Sequence, residues 1–216
     1  MDITKYAHSC VRLQSDDGAL VIDPGNFSGA DELKQALDGV EAVLVTHEHP
    51  DHLDVDTVSR LLRERPDLRI WGPAPVAGLF PEHRDRVNTV GVGESFAAGG
   101  LAVSTHGGQH ALIHPSIPVV PNLAYLVAGS MFHPGDAFTV PAQPVDTLLL
   151  AVHAPWSRVG EVLDHLIAVR ADTVHAIHDG LLNDRGRALV DGHVDRVAAA
   201  YGSAYVPLAF GQTASG

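Results

Sequence analysis

Cysteine is all but missing from this chain: Cys10 is the only one. No intrachain disulfide can form, and the thiolate-rich zinc sites of finger-type domains are excluded. The lone thiol reads as a small buried hydrophobe. Long apolar runs are missing as well, since none reaches the eighteen residues that a membrane-spanning helix needs. Positive charge is scarce. Fourteen Lys and Arg stand against 26 Asp and Glu, for a formal charge of −12, so the broad basic face of a nucleic-acid binder is not expected. The opening MDITKYAHSC carries an acid where a secretory leader has basic residues, which predicts no export and a cytoplasmic location. With 45% apolar and 19% charged residues the composition is that of a globular protein, and 216 residues suit one domain spanning 1–216.

Histidine is what the chain has in quantity. Fourteen occur, and they gather at turns more than along helices. The stretch THEHPDHLD, residues 46–54, follows an apolar run and sets His47, His49, Asp51 and His52 in one short loop. Four such groups compete for protons unless a cation lies among them, so the pattern points to divalent metal. In an extended segment His47, His49 and Asp51 share one side while His52 faces another, an arrangement able to serve two neighbouring ions. Pro50 is expected to keep the segment extended up to the next helix.

The rest of the chain alternates short apolar strands with a few amphipathic helices. Asp17-Gly18 signals a hairpin, and Asp23-Pro24-Gly25 ends a strand abruptly. A weak helix is expected from Asp31, capped by its carboxylate, to Leu37, and a strand over 42–45 leads into the histidine loop. Asp54 is expected to cap a helix whose stripe is Val55, Val58, Leu61 and Leu62, ending before Pro66. Further strands are read at 69–71, 87–106 (as antiparallel hairpins), 122–128, 130–133, 145–152 and 173–177. Helices are read near 76–80, after a Ser157 cap, and from Asp184 to Tyr201 with Gly202 past its end. On the helix after Ser157, His165 falls off the apolar face and is expected in solvent. From Gly211 the tail has no pattern and is expected to be mobile. Strands then helix, twice over, predict two similar β-rich halves forming a sandwich of sheets with helices outside.

Three more ligand-type residues, His110, Asp136 and His178, sit at strand ends downstream. The order H-x-H-x-D-H, a later His, an Asp in a G-D turn and a C-terminal His resembles the metallo-β-lactamase superfamily. The N-terminal YAHSCVRLQ and VIDPG resemble its L-ascorbate 6-phosphate lactonase-like branch. The resemblance implies an α+β fold, a four-layer αββα sandwich with a dinuclear centre in the cleft between the sheets. It implies His47, His49 and His110 on one ion, Asp51, His52 and His178 on the other, and Asp136 bridging. Asp51 would also orient the nucleophile. His178 is preferred to His175 because it follows the strand, where the chain turns. Asp23 would support the ligands, His8 and His114 would touch substrate or tune a ligand, and His133 and His153 are candidate cleft-wall residues.

The function so implied is metal-dependent hydrolysis. A hydroxide held by two divalent ions, Zn first and Mn, Fe or Ni after it, would attack an ester, lactone or phosphoester bond of a small-molecule substrate. The superfamily's lactam-cleaving members have Cys or His in place of the bridging acid, so Asp136 argues against β-lactamase activity. A metal-binding module without turnover and a nucleic-acid phosphodiesterase are the competing readings. Nucleic acid is disfavoured by the charge, and no membrane partner is expected.

Overall fold

Strands from the first half of the chain make most of one sheet. In the computed structural model, which describes residues 1–215, these are Asp2–Lys5 (β1), Val11–Ser15 (β2), Gly18–Ile22 (β3), Ala42–Leu44 (β4), Arg69–Gly72 (β5) and Val87–Thr89 (β6). A second sheet holds Ser95–Ala98 (β7), Leu101–Gly107 (β8), Leu123–Val127 (β9), Met131–His133 (β10), Thr147–Ala151 (β11), Thr173–Ile177 (β12) and Ala204–Tyr205 (β13). The chain then returns, and Thr213–Ser215 (β14) pairs antiparallel with β1, Asp2 opposite Ser215. The tail expected to be mobile is therefore an edge strand. Its polar TAS lacks an apolar signal because backbone hydrogen bonding, not a buried face, holds it there. Residue 216 lies outside the described residues.

Each sheet runs through antiparallel pairs into parallel ones, in the orders β14-β1-β2-β3-β4-β5-β6 and β7-β8-β9-β10-β11-β12-β13. The inner faces meet in a core where Val11, Leu13, Leu20 and Leu44 pack with Val103, Tyr125, Val127 and Leu149. Helices cover the outer faces. Ala30–Ala36 (α1), Val55–Glu64 (α2) and Ala74–Gly78 (α3) lie on the first sheet, where Leu33, Val58, Leu62 and Val76 join Val43 and Ile70. Val159–Val169 (α4) and Asp184–Tyr201 (α5) cover the second, with Val162, Leu166, Val190 and Val194 against Leu148, Leu150 and Val174. This is the four-layer αββα sandwich read from the sequence.

Local signals account for most boundaries. Asp54 caps α2 by accepting from Thr57 N at 3.0 Å, and the helix stops before Pro66. Asn183 does the same for α5 through Gly186 N at 2.9 Å, and Gly202, at φ 85°, ends it. Two expected caps fall elsewhere. At α1 the N-cap is Gly29, whose N–H is held by Glu32 at 2.7 Å, and Asp31 lies inside the helix. At α4 the Glu161 carboxylate holds Arg158 N at 2.7 Å, while Ser157 Oγ turns back to Ala154 N at 3.0 Å. In both, a glutamate three residues on does the work of a capping box. His165 is buried, not solvated: its Nε2–H donates to Thr139 O at 2.8 Å, because the loop after β10 crosses that side of α4.

Candidate metal centre

The site lies where both sheets end. β4 delivers the chain to the histidine loop, and Leu123 N, at the start of β9 in the opposite sheet, donates to Thr46 O at 2.9 Å. The loop is not extended throughout. His52 N and Leu53 N both donate to His49 O at 3.0 Å, so residues 49–53 form a tight turn. The turn rotates Asp51 away from His47 and His49, contrary to the alternation expected of a strand, and sets it beside His52. It is held from behind by the Asp23-Pro24-Gly25 segment, where Asn26 N reaches Pro50 O at 2.8 Å and Asp54 N reaches Pro24 O at 2.9 Å. A Cβ on Gly25 would lie 1.7 Å from Asp51 O, so only glycine permits this approach.

Three sets of ligand atoms converge, each within 4.8 Å: His47, His49 and His110; His8, Asp51, His52 and His178; and His47, His52 and Asp136. His47 Nε2 is 3.1 Å from His49 Nδ1. Asp136 lies between the sets. Its Oδ1 is 3.0 Å from His52 Nε2, and its Oδ2 is 3.0 Å from His178 Nε2 and 3.4 Å from His110 Nε2. Asp51 Oδ2 stands 3.9 Å from both His52 Nε2 and His178 Nε2. All seven residues read as ligands from the sequence are thus brought together. His175 is not among them: its Nδ1–H is spent on Val206 O at 2.7 Å.

The tautomers are set from outside. Nδ1 of His110 faces Ala111 O at 2.6 Å, Nδ1 of His178 faces His153 O at 2.6 Å, and Nδ1 of His52 faces Asp23 Oδ2 at 2.7 Å. Thr46 Oγ1 donates to the same Asp23 oxygen at 2.7 Å and so accepts from His47 Nδ1 at 3.0 Å. With the protons on Nδ1, each Nε2 turns a lone pair inward. Accordingly His52 Nε2, His110 Nε2, His178 Nε2 and Asp136 Oδ1 are buried without any hydrogen-bond partner. Lone pairs packed at 3.0 Å around a carboxylate require positive charge among them, and nitrogen and carboxylate donors in this number fit divalent cations. The same crowding governs the electrostatics. Burial acts to lower the His52 pKa, but the Asp136 and Asp23 carboxylates override it and hold it well above the ordinary value, so without a cation His52 takes a second proton on Nε2, at the place where a divalent ion would displace it. Burial acts to raise Asp136, and the facing His52, His110 and His178 carry it well below the usual carboxylate range. Asp51, raised by burial but lowered more by the His8 hydrogen bond and by His52, sits at about 2 and is an anion at neutral pH.

His8 takes part by a different route. Its Nδ1 accepts from Gly180 N at 3.1 Å, so its proton lies on Nε2, 3.3 Å from Asp51 Oδ2. It is placed as a donor to Asp51, between the rings of Phe27 and His178. Asp23 is wholly buried and supports Thr46 and His52, as expected. His114 is exposed and paired with Ser116 Oγ at 2.7 Å, and it is not among the converging ligand atoms. His133, read as a cleft-wall residue, is wholly buried beneath the site, its Nε2–H on Ser9 O at 3.3 Å, and lines no cleft. His153 serves through its backbone carbonyl.

A family model described as a beta-lactamase superfamily domain matches residues 2–178. The chain belongs to the metallo-β-lactamase superfamily. This superfamily member is 35% identical to protein Rv0786c of Mycobacterium tuberculosis over 90% of its own length and 91% of that protein's. It is 33% identical to a UPF0173 metal-dependent hydrolase of Lysinibacillus sphaericus over 36% of its length and 33% of the other's. Igni18 of Ignicoccus hospitalis, described as a novel metallo hydrolase, shares its fold with a TM-score of 0.74 at 16% identity, over 99% of this chain and 97% of that one.

Three residues of this superfamily member escaped the reading of its sequence. Thr46 relays Asp23 to His47, Asn122 pins the turn before Asp136 through Asp136 N at 3.0 Å and Pro134 O at 2.9 Å, and Trp156 donates to Asp136 Oδ2 at 2.8 Å. None lies in a spaced motif. The available signal was position alone, since Thr46 and Asn122 stand beside strand ends and Trp156 lies in the loop between β11 and α4.

Proposed function

We propose that this chain is a metal-dependent hydrolase acting on a carbonyl ester or lactone of a small molecule at a dinuclear centre. His47, His49 and His110 would hold one ion, Asp51, His52 and His178 the other, and Asp136 both. The observation that carries this is the ring of buried, partnerless lone pairs facing Asp136. Ions held there supply acidified water, a grip on the electrophilic oxygen and neutralisation of charge as it develops. The chain's own part is to aim Nε2 of His52, His110 and His178 at the site through their Nδ1 partners and to keep Asp51 ionised under the His8 donor. Asp51 is partly open to solvent, at 27%, so its carboxylate can accept a hydrogen bond from, and orient, an entering water.

Exposed apolar side chains near the site offer surface suited to a carbon ester. Phe27 packs on His8 with ring centroids 4.6 Å apart, Leu112 follows His110 by two residues, and Leu181 follows His178 by three; all three are exposed. Leu112, Ile113, Pro155 and Trp156 line a recess of about 270 Å³ with Ser157, Arg158 and Glu161. The exposed Phe27, Leu112 and Leu181 suit the body of an acyl or lactone substrate, while the recess itself, with Arg158 and Glu161 in its wall, is mainly polar.

The test is metal analysis of purified protein followed by a panel of lactones, acyl esters, thioesters and phosphoesters, each with added Zn or Mn. Two bound ions and turnover of lactones or esters, lost on chelation, are expected. Protein that takes up no ion, or that turns over only phosphoesters, overturns the reading in the first case and its substrate class in the second.

A further inference from the structure

Trp156 stands in the loop between β11 and α4, half-buried, at the one position where a neutral proton donor meets the central carboxylate. Its indole Nε1–H donates to Asp136 Oδ2 at 2.8 Å. Its ring lies 6.0 Å from that of His110 and 6.0 Å from that of His178, so it spans one ring from each of the two histidine groups. Phe138 packs edge-on at 5.1 Å and fixes the plane of the indole. Any aromatic could fill this space. Only the indole N–H reaches the carboxylate.

That bond matters because of what Asp136 lacks. Its other close polar side-chain neighbours are histidine nitrogens with lone pairs turned inward, and Oδ1 has no hydrogen bond. The backbone is pinned by Asn122, and among the described residues the only neutral side-chain donor on the carboxylate is the Trp156 indole. That donor on Oδ2 fixes the rotation about Cβ–Cγ: it sets Oδ1 toward His52 and Oδ2 toward His110 and His178.

We propose that Trp156 is a positioning residue for the metal pair, fixing the rotation of Asp136 through its indole N–H. The inference rests on reading the cluster as a metal centre, and the experiment separates the two. Trp156→Phe keeps the ring and removes the donor. Competition with a chromophoric chelator then gives the number and affinity of Zn ions in parent and variant. Loss of an outer hydrogen bond to a ligand lowers metal affinity by roughly 10–100-fold, so at least one Zn site of the variant should weaken by that factor. A second measurement needs no variant. The chain has two tryptophans, and the Trp71 ring stacks on Phe96 rather than on a histidine of the cluster. In a 15N-labelled sample, adding Zn should move the Trp156 indole resonance and leave that of Trp71 in place. A Trp156→Phe protein that binds Zn with the parent's stoichiometry and affinity, or a Trp156 resonance indifferent to Zn in a parent that binds it, overturns the inference. A parent that binds no Zn overturns the metal-centre reading and this inference with it.

Discussion

The two sheets are built to one plan, and they use it unequally. Each has three antiparallel pairings followed by three parallel ones, so β14 answers to β7, β3 to β10 and β4 to β11. After β3 comes Asp23-Pro24-Gly25, and after β10 comes Pro134-Gly135-Asp136, each with a glycine at a close approach. A Cβ on Gly135 would lie 2.3 Å from Asn122 Oδ1. Yet Asp23 spends both oxygens on Thr46 N, Thr46 Oγ1 and His52 Nδ1, while Asp136 keeps Oδ1 free of protein donors. Two aspartates at matching strand ends are thus divided into a brace and a site group. What divides them is the supply of donors around each, since a carboxylate saturated by the protein has nothing left for a cation.

The sharpest way to break this comparison is to remove each carboxylate in turn. Asp136→Ala should bind metal more weakly than the parent by more than about 100-fold, the upper end of what outer-contact losses cause, because a direct ligand is lost. Its metal-free thermal midpoint should fall less than that of Asp23→Asn, since the Trp156 N–H and His52 lose a partner while the Asp23 brace stays intact. Asp23→Asn should show the reverse emphasis. An amide there cannot accept from all three donors, and loss of charged hydrogen bonds in a buried place should cost about 1.5–3 kcal/mol by denaturant titration of the metal-free protein. A variant of Asp23 with full stability and lost metal, or of Asp136 with lost stability and full metal affinity, would show the division to be false.

How much of this could be read from residues depends on which interactions hold each part. The sandwich was legible because its strands are apolar runs and its helices amphipathic, both patterns of burial along the chain. The α2 cap at Asp54 and the α5 stop at Gly202 were legible because they are local. The strand β14 was not, since a polar TAS joins the sheet by backbone bonds to a strand more than two hundred residues away. The same limit explains the site. His47, His49, Asp51 and His52 declare themselves by spacing, and His110, Asp136 and His178 only by order within a family pattern. The turn at 49–53 reversed the side on which Asp51 was expected, because its cause lies outside the loop, in the Asn26 N to Pro50 O and Asp54 N to Pro24 O bonds. Trp156 through its one bond to Asp136, and Thr46 through its bonds to Asp23, act only once distant segments meet in space, and no periodicity announces those bonds.

A gentler probe of the two halves is acid. In the second half, His133, His165 and His175 are buried outside the cluster, and burial lowers the pKa of each. His133 is held neutral, donating to Ser9 O and accepting from Gly135 N at 3.1 Å. In the first half the buried His8 and His47 are lowered and the buried His52 is raised, so on acidification they pull stability in opposite directions. A group with a lowered folded pKa binds its proton more readily when unfolded, so between that value and about 6.5 stability rises with pH and falls on acidification. The metal-free protein should therefore lose stability between pH 7 and pH 5. Hydrogen exchange should report the loss first in α4 and β12, ahead of α1 and α2. His165→Gln, which can still donate to Thr139 O but does not titrate, should flatten the pH dependence in α4 by a modest amount. Equal acid loosening of both halves, or an unchanged slope in that variant, would mean that the buried histidines of the second half do not set its response to pH.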